Sequence, residues 1–190
     1  TGSCDSAFSA DPFRCRLHLY LAGGQMSAAI RLLPSELAGG QDPDQDWISS
    51  ISSLSSGLVL VTGPTGSGKT TTLARIAEQI NETRACHIIT LEDPVEYIFP
   101  SQKALIHQRE IGTDASGWAP AIRDSLREDP DVIVIGELRD SETIAAALSA
   151  AETGHLVLGT LHNRRAPDII GRIVHAFPAE KDAEIRLLLS

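Results

Sequence analysis

Aromatic side chains are scarce in this sequence of 190 residues, where they make up 4% against 42% for hydrophobic residues as a whole. A buried core must therefore be aliphatic, which is typical of a globular chain rich in Leu, Ile, Val and Ala. Long apolar runs are also absent, since none reaches the roughly 18 residues that a bilayer requires. The N-terminus lacks the basic start and apolar stretch of a signal peptide. These absences predict a protein without direct membrane insertion.

Positive charge and cysteine are scarce as well. The 16 basic residues stand against 25 acidic ones, giving a formal net charge of −9, which opposes attraction to nucleic-acid phosphates. Cys4, Cys15 and Cys86 are odd in number, widely spaced and form no C-x-x-C pair. They predict reduced thiols and argue against a disulfide framework or a zinc site. We therefore expect a cytoplasmic protein with no nucleic-acid partner.

The first part of the chain reads as a small β unit followed by a connector. Two strand-like runs, at 14–20 and 27–33, lie on either side of a Gly-Gly pair and predict a β-hairpin. The stretch 34–46 is polar, rich in Gly, Pro and Asp, and without periodicity, which is typical of a linker. These patterns divide the chain into a partial N-terminal domain at 1–33, a linker at 34–46 and a core domain at 47–190.

The core domain alternates between helical patterns and apolar strand runs. A short helix comes first, with an apolar stripe formed by Trp47, Ile48, Ile51 and Leu54. Strands are then expected at 58–62, 86–91, 131–136 and 155–160, and helices at 69–81, 117–128, 140–152, 167–176 and 179–189. Strands separated by helices of this length predict an α/β fold with a mainly parallel, doubly wound sheet. The last helical pattern still runs at Ser190, which predicts a core that is truncated at its C-terminal end.

A glycine-rich loop between the first core strand and its helix carries a phosphate-binding pattern. Gly63, Gly68, Lys69 and Thr70 fit the P-loop, in which backbone N–H groups turn toward phosphate oxygens. Lys69 would supply charge at the β- and γ-phosphates, and Thr70 a hydroxyl for Mg²⁺. The candidate binding residues for ATP are Gly63, Pro64, Thr65, Gly66, Ser67, Gly68, Lys69, Thr70 and Thr71.

Acidic residues follow two other strand runs. Glu137 ends the apolar run at 131–136, and Glu92 and Asp93 follow the run at 86–91. The carboxyl ends of parallel strands border the ligand crevice, so these acids are expected to meet the P-loop. Glu137 would orient the attacking water or hold Mg²⁺ through water. His162 follows a fourth strand run and is a candidate sensor of the γ-phosphate.

With these blocks located, the sequence resembles the RecA-like secretion-superfamily ATPases, and most closely the PilT-like type IV pilus retraction ATPases. In that family's terms, residues 63–70 resemble the Walker A motif, 91–96 the Asp box, 134–140 the Walker B motif and 154–162 the His box. The resemblance implies a homo-hexamer that couples ATP hydrolysis to domain movement. It also implies a platform protein at the inner membrane, where the ATPase would lie peripherally through its partners. Catalytic roles are implied for Lys69, Glu92, Glu137 and His162.

The resemblance also assigns roles outside the P-loop. In this family an N-terminal PAS-like domain offers arginines to a nucleotide held between subunits, and Arg14, Arg16 and Arg31 on the expected hairpin are the matching candidates. Residues 1–33 would be the remnant of that domain. After His162 the family usually has small hydroxyl residues, whereas Asn163, Arg164 and Arg165 follow here. This departure predicts two charges beside the site.

Other functions remain open at this point. Within the superfamily, segments 125–130, 150–155 and 177–181 favour retraction, and the alternative is a pilus assembly or secretion ATPase. A small-molecule P-loop kinase would need a lid with arginines, and no such segment follows the third helix. A nucleic-acid translocase is disfavoured by the charge balance. An ATP-binding switch that barely hydrolyses its ligand is the fourth possibility.

Overall fold

A computed structural model describes residues 3–10, 13–34, 45–163, 165 and 167–189. Two sheets make up its β structure, one antiparallel and one parallel. The strands are β1 (Ser3–Ala10), β2 (Phe13–Ala22), β3 (Gln25–Pro34), β4 (Gly57–Thr62), β5 (His87–Glu92), β6 (Leu105–Glu110), β7 (Val132–Ile135) and β8 (Leu156–Leu161). The helices are α1 (Gln45–Ser52), α2 (Lys69–Thr83), α3 (Trp118–Ser125), α4 (Ser141–Glu152), α5 (Asp168–His175) and α6 (Asp182–Leu188), with a 3₁₀ turn at Ala179–Lys181.

The parallel sheet has the order β4-β8-β7-β5-β6. Its central strands are buried on both faces because successive side chains point to opposite sides and nearly all are aliphatic. On β7, for example, Val132 packs on one face with α1 and α2, while Ile133 packs on the other with α3, α4, α5 and α6. Helices therefore cover both faces, and the predicted α/β, doubly wound architecture is confirmed.

The strand order positions the site. The chain runs from β4 to β5 and β6 and then returns, so β7 and β8 fill the space between β4 and β5. All five strands are parallel, and their carboxyl ends therefore lie along one edge of the sheet. The loop after β8 consequently lies between the loops after β4 and β7.

The N-terminal unit is larger than the predicted hairpin. Besides β2 and β3, the structure adds β1, which pairs antiparallel with β2 along its whole length. The predicted hairpin is therefore confirmed as β2 and β3, and β1 is an additional strand that was not predicted. Only Phe8 in β1 is both large and apolar, so this strand has no hydrophobic run that would have signalled it.

Three other elements differ from expectation. The polar edge strand β6 was not predicted at all. Helix α3 is shorter than 117–128 at both ends, and Asp129 follows with a positive φ of 54° just before Pro130. The stripe of α1 is narrower than expected, since Ile48 is buried whereas Leu54 lies beyond the helix and is exposed.

The linker and the division into domains stay predictions. Position 34 belongs to β3 and positions 45–46 belong to α1, so the connector is shorter at both ends than 34–46. Its remaining part, 35–44, lies outside the described residues. None of the helices that the structure describes is both long and apolar enough to cross a lipid bilayer.

Candidate nucleotide-binding site

The loop between β4 and α2 folds as a phosphate cradle, as its glycine spacing predicts. Gly66 and Gly68 have φ angles of +79° and +89°, values that side chains with a Cβ disfavour. Gly63 has no such angle, but a Cβ there would lie 2.4 Å from Oγ of Ser67. Gly68 also caps α2, whose first amides have no intrahelical acceptors and so favour an anion.

Lys69 is the charged residue of this cradle. It is buried, and its Nζ donates to the carbonyl oxygens of Gly63 at 3.0 Å and Pro64 at 2.9 Å. A third hydrogen bond of 3.2 Å joins Nζ to Nδ1 of His162. Lys69 thus connects the loop after β4 to the end of β8.

His162 in turn connects Lys69 to Glu137. Its Nε2 lies 3.0 Å from Oε1 of Glu137. Because an ammonium group can only donate, Nδ1 accepts and the imidazole proton is on Nε2, where it donates to the carboxylate. The other oxygen of Glu137 accepts from Nε of Arg139 at 2.7 Å. These four side chains form one polar chain across the ends of β4, β8 and β7.

Glu92, the last residue of β5, is surrounded by donors. Oγ1 of Thr90 and Nε2 of Gln108 donate to its Oε1 at 2.6 and 3.1 Å, and the backbone N–H of Glu96 donates to Oε2 at 3.3 Å. Burial raises the pKa of Glu92 above its ordinary value, and these hydrogen bonds only partly oppose that rise. A carboxylate with a raised pKa is suited to accept a proton, as a general base does.

The N-terminal sheet presents two arginines to the site. Arg16 on β2 and Arg31 on β3 are cross-strand partners, and both line the cavity beside the cradle. Burial raises the pKa of Glu96, and the positive charges of Arg16 and Arg31 oppose that rise. Paired arginines repel each other, so an anion between them and the cradle is favoured.

Arg14 lies elsewhere. Its Nε donates to the carbonyl oxygen of Val95 at 2.6 Å, and its Nη2 is 3.8 Å from a carboxylate oxygen of Glu110. It therefore attaches the N-terminal sheet to the loop after β5 and to β6. A contact between Arg14 and a nucleotide stays a prediction.

Most of the predicted residues meet in one cavity of about 560 Å³, which is within the usual size of ligand sites. From the predicted set it is lined by Arg16, Arg31, Thr65, Gly66, Gly68, Lys69, Thr70, Thr71, Glu92, Glu137 and His162. Gly63 and Pro64 instead accept hydrogen bonds from Lys69, and Ser67 shapes the loop by donating its backbone N–H to the carbonyl oxygen of Pro64 at 3.3 Å. The sequence thus identified both the floor and the acidic wall of this cavity.

The loop after His162 is held by a contact that the sequence did not indicate. Nη1 of Arg172, on α5, donates to the carbonyl oxygen of His162 at 2.9 Å and to Oδ1 of Asn163 at 2.8 Å. Asn163 therefore anchors this loop to α5. Arg165 is exposed, and Arg164 lies outside the described residues.

The arrangement fits a nucleoside triphosphate with Mg²⁺. The glycines leave room where a Cβ would collide, and Lys69 supplies a cation at the floor. Thr70 is the second residue of α2 and lines the same cavity as Glu137, so a hydroxyl and a carboxylate are available to a hard cation. Mg²⁺ usually keeps several waters and takes few protein ligands beside phosphate oxygens. Among the described residues, no group of three or more His, Cys, Asp or Glu side chains is placed to hold a metal ion.

Sequence reasoning missed three side chains of the site: Arg139, Gln108 and Arg172. Arg139 lies within the segment 134–140 that resembles the Walker B motif, and its spacing of two residues from Glu137 could have indicated a contact between them. Gln108 lies on the unpredicted strand β6, so nothing in the sequence linked it to Glu92. Arg172 lies on a predicted helix whose orientation the sequence could not give.

An α/β fold with a glycine cradle between β4 and α2, and with acids at neighbouring strand ends, defines a P-loop nucleotide-binding protein. A family model described as "Type II/IV secretion system protein" matches residues 25–182. Because this match covers most of the chain, the protein belongs to that family. The PilT-like resemblance seen in the sequence motifs is thereby confirmed at the level of the family.

Individual relatives agree with this assignment. The chain is 47% identical over 178 residues, or 93% of its length, to the type IV pilus retraction ATPase PilT of Pseudomonas aeruginosa, and covers 52% of that protein. It is 47% identical over 93% of its length to a twitching motility protein of Neisseria gonorrhoeae, covering 48% of it. A crystal structure of the pilus retraction motor PilT with bound ADP matches with a TM-score of 0.92 and 46% identity, covering 100% of this chain and 56% of that one. The chain thus spans about half the length of the relatives it matches.

Proposed function

We propose that this protein is a Mg²⁺-dependent ATPase, hydrolysing ATP to ADP and phosphate, and that it drives the retraction of type IV pili and hence twitching motility. The observation that carries the proposal is the meeting of Lys69, Glu92, Glu137 and His162 at one cavity beside the glycine cradle. The names of the relatives, a retraction ATPase and a twitching motility protein, support the choice of retraction.

The chemistry divides among these side chains. The cradle amides and Lys69 would bind the β- and γ-phosphates, and Thr70 and Glu137 would hold Mg²⁺, Glu137 through water; the ion would supply charge neutralisation at the phosphates. Glu137 would also orient the attacking water, and Glu92 would accept a proton from that water. His162 contacts both Lys69 and Glu137, so it is suited to sense the γ-phosphate.

The motor would be a homo-hexamer on the cytoplasmic side of the inner membrane, attached through a platform protein. Arg16 and Arg31 already line the cavity within one chain, where they can stabilise charge on the transferring phosphoryl group. Arginines supplied to such groups contribute about 10³-fold or more in rate. A neighbouring subunit would add further groups and so couple assembly to hydrolysis.

The test is Mg²⁺-dependent ATP hydrolysis by the full-length protein as a function of its concentration. The wild type is compared with Glu137→Gln and with the matched control Glu82→Gln, an exposed residue at the far end of α2. We expect specific activity to rise with concentration, Glu82→Gln to be normal, and Glu137→Gln to lose about 10²-fold or more in kcat.

Three outcomes would refute parts of this proposal. Hydrolysis that survives Glu137→Gln would mean that another carboxylate serves the reaction. Specific activity that is equal at every protein concentration would contradict the coupling of assembly to hydrolysis. Transfer of phosphate to a small-molecule acceptor rather than to water would support a kinase.

A further inference from the structure

The amide of Gln108 is fixed in one orientation by three partners. The backbone N–H of Phe99 donates to its Oε1 at 2.9 Å, and a backbone N–H cannot accept, so the amide oxygen must lie there. The amide nitrogen then faces two acceptors, the carbonyl oxygen of Tyr97 at 2.7 Å and Oε1 of Glu92 at 3.1 Å. Both N–H groups and the oxygen of Gln108 are therefore used.

The position of Gln108 in the sheet explains why it reaches Glu92. Gln108 on β6 pairs in register with Thr90 on β5, and Thr90 donates to the same carboxylate oxygen at 2.6 Å. Two side-chain donors on adjacent strands thus hold Oε1 of Glu92. Its Oε2 has only the longer bond of 3.3 Å from the backbone of Glu96.

We propose that Gln108 is a positioning residue, whose amide fixes one oxygen of Glu92 and thereby directs the carboxylate into the nucleotide cavity. This inference rests on the proposed ATPase function for its kinetic consequence, but not for its structural one. A hydrogen bond to the ionised form of a buried carboxylate also favours ionisation, so Gln108 helps Glu92 to remain a base.

Glu92 shares its surroundings with several other charged groups. They are Asp93 and Glu96 after β5, Lys69 on α2, Glu137 and Arg139 after β7, His162 after β8, and Arg16 and Arg31 on the N-terminal sheet, together with Glu110, the register partner of Glu92 on β6. None of them is altered by a change at position 108. A shift in the titration of Glu92 on removal of Gln108 therefore reports the lost donor.

The first test measures the ionisation of Glu92 directly, by ¹³C NMR of the full-length protein labelled at glutamate carboxyl carbons. The signal is assigned by its loss in Glu92→Gln. We expect the pKa of Glu92 to rise in Gln108→Met and also in Thr90→Val, which removes the second donor without touching Tyr97 or Phe99. Gln102→Met is the matched control, because Gln102 donates to Glu78 at 2.8 Å on an exposed surface. An unchanged titration of Glu92 in Gln108→Met would overturn the proposal.

The second test is kinetic and uses a double substitution. Gln108→Met should lower kcat by about tenfold with little change in KM, because it misplaces a reacting group and not the phosphates. In the Glu92→Gln background, the same substitution should lower kcat by less than about twofold, since residues that act through one another are not additive. Equal fold losses in both backgrounds would mean that Gln108 acts independently of Glu92. An inactive wild type would refute the ATPase function and leave the NMR test of Gln108 intact.

Discussion

Gly63 gives the sharpest test of the phosphate cradle, because its substitution should act through a single contact. A Cβ at this position would lie 2.4 Å from Oγ and 3.3 Å from Cβ of Ser67, whereas ordinary contacts begin near 3.4 Å. Gly63→Ala must therefore turn Oγ of the exposed Ser67 to another rotamer or shift the loop, and the 3.3 Å contact with Cβ of Ser67 remains after Oγ has turned. Ser67 directly precedes Gly68 and Lys69, so the displacement reaches the cation of the site.

The expected size follows from the cost of inserting an extra methyl group. Overpacking of a core typically costs about 1–3 kcal/mol, and the lower end applies here because Ser67 is exposed. Since the loop must keep its shape to bind phosphate, we expect Gly63→Ala to weaken the binding of a fluorescent ATP analogue by roughly fivefold, measured by equilibrium titration. Gly171→Ala is the matched control, because a Cβ there meets nothing within 4 Å.

A second substitution isolates the cause. Ser67→Ala removes Oγ, so Gly63→Ala combined with Ser67→Ala leaves only the 3.3 Å contact, which a shift of a few tenths of an ångström relieves. The double variant should bind the ATP analogue almost as tightly as Ser67→Ala alone does. Wild-type affinity in Gly63→Ala, or a pair as weak as the single variant, would refute the packing argument.

Three further predictions concern charges and helix ends. Because burial raises the pKa of Glu92 above 4.5, the folded protein keeps this proton to a higher pH than the unfolded chain, and stability falls as pH rises through the interval between the two pKa values. Glu92→Gln should thus raise the thermal midpoint at neutral pH and leave it nearly unchanged below pH 4.5. The side chain of Asp140 accepts a hydrogen bond of 2.8 Å from the backbone N–H of Thr143 in the first turn of α4. Asp140→Ala should therefore lower the free energy of unfolding by about 1 kcal/mol, measured by urea unfolding. Arg139→Gln should lower kcat several-fold by releasing Glu137, whereas Arg123→Gln, which breaks an exposed ion pair of 2.9 Å, should not.

Sequence patterns predicted the parallel sheet well because its central strands are apolar and sharply bounded. The runs at 131–136 and 155–160 match β7 and β8 to within a residue or two. An edge strand need not bury both faces, so it can lack this signal. The edge strand β4 has an apolar run and was predicted, whereas in the other edge strand, β6, only Ile106 is buried and the last four residues are polar, so that it reads as a loop.

For the site as well, the sequence predicted the residues that are close together in the chain and missed those that only the fold brings together. Residues of the cradle are neighbours in sequence, so their spacing alone predicts that they act together. Glu92 and Glu137 could be placed because parallel strands end at one edge. The partners Gln108 and Arg172 could not, because their contacts depend on which strands and helices are adjacent in space.

The position of β8 between β4 and β7 has a consequence for how a bound phosphate would be sensed. Lys69 has three N–H donors, and Gly63, Pro64 and His162 accept all three. A phosphate oxygen that binds Lys69 must therefore replace at least one of these acceptors. If it replaces His162, the imidazole loses the donor that fixes its tautomer, while its contact with Glu137 lies on the opposite ring nitrogen. One imidazole thus links occupancy of the phosphate cradle to the hydrogen bonding of Glu137, and a ligand can shift this link only by binding the two arrangements with different affinity.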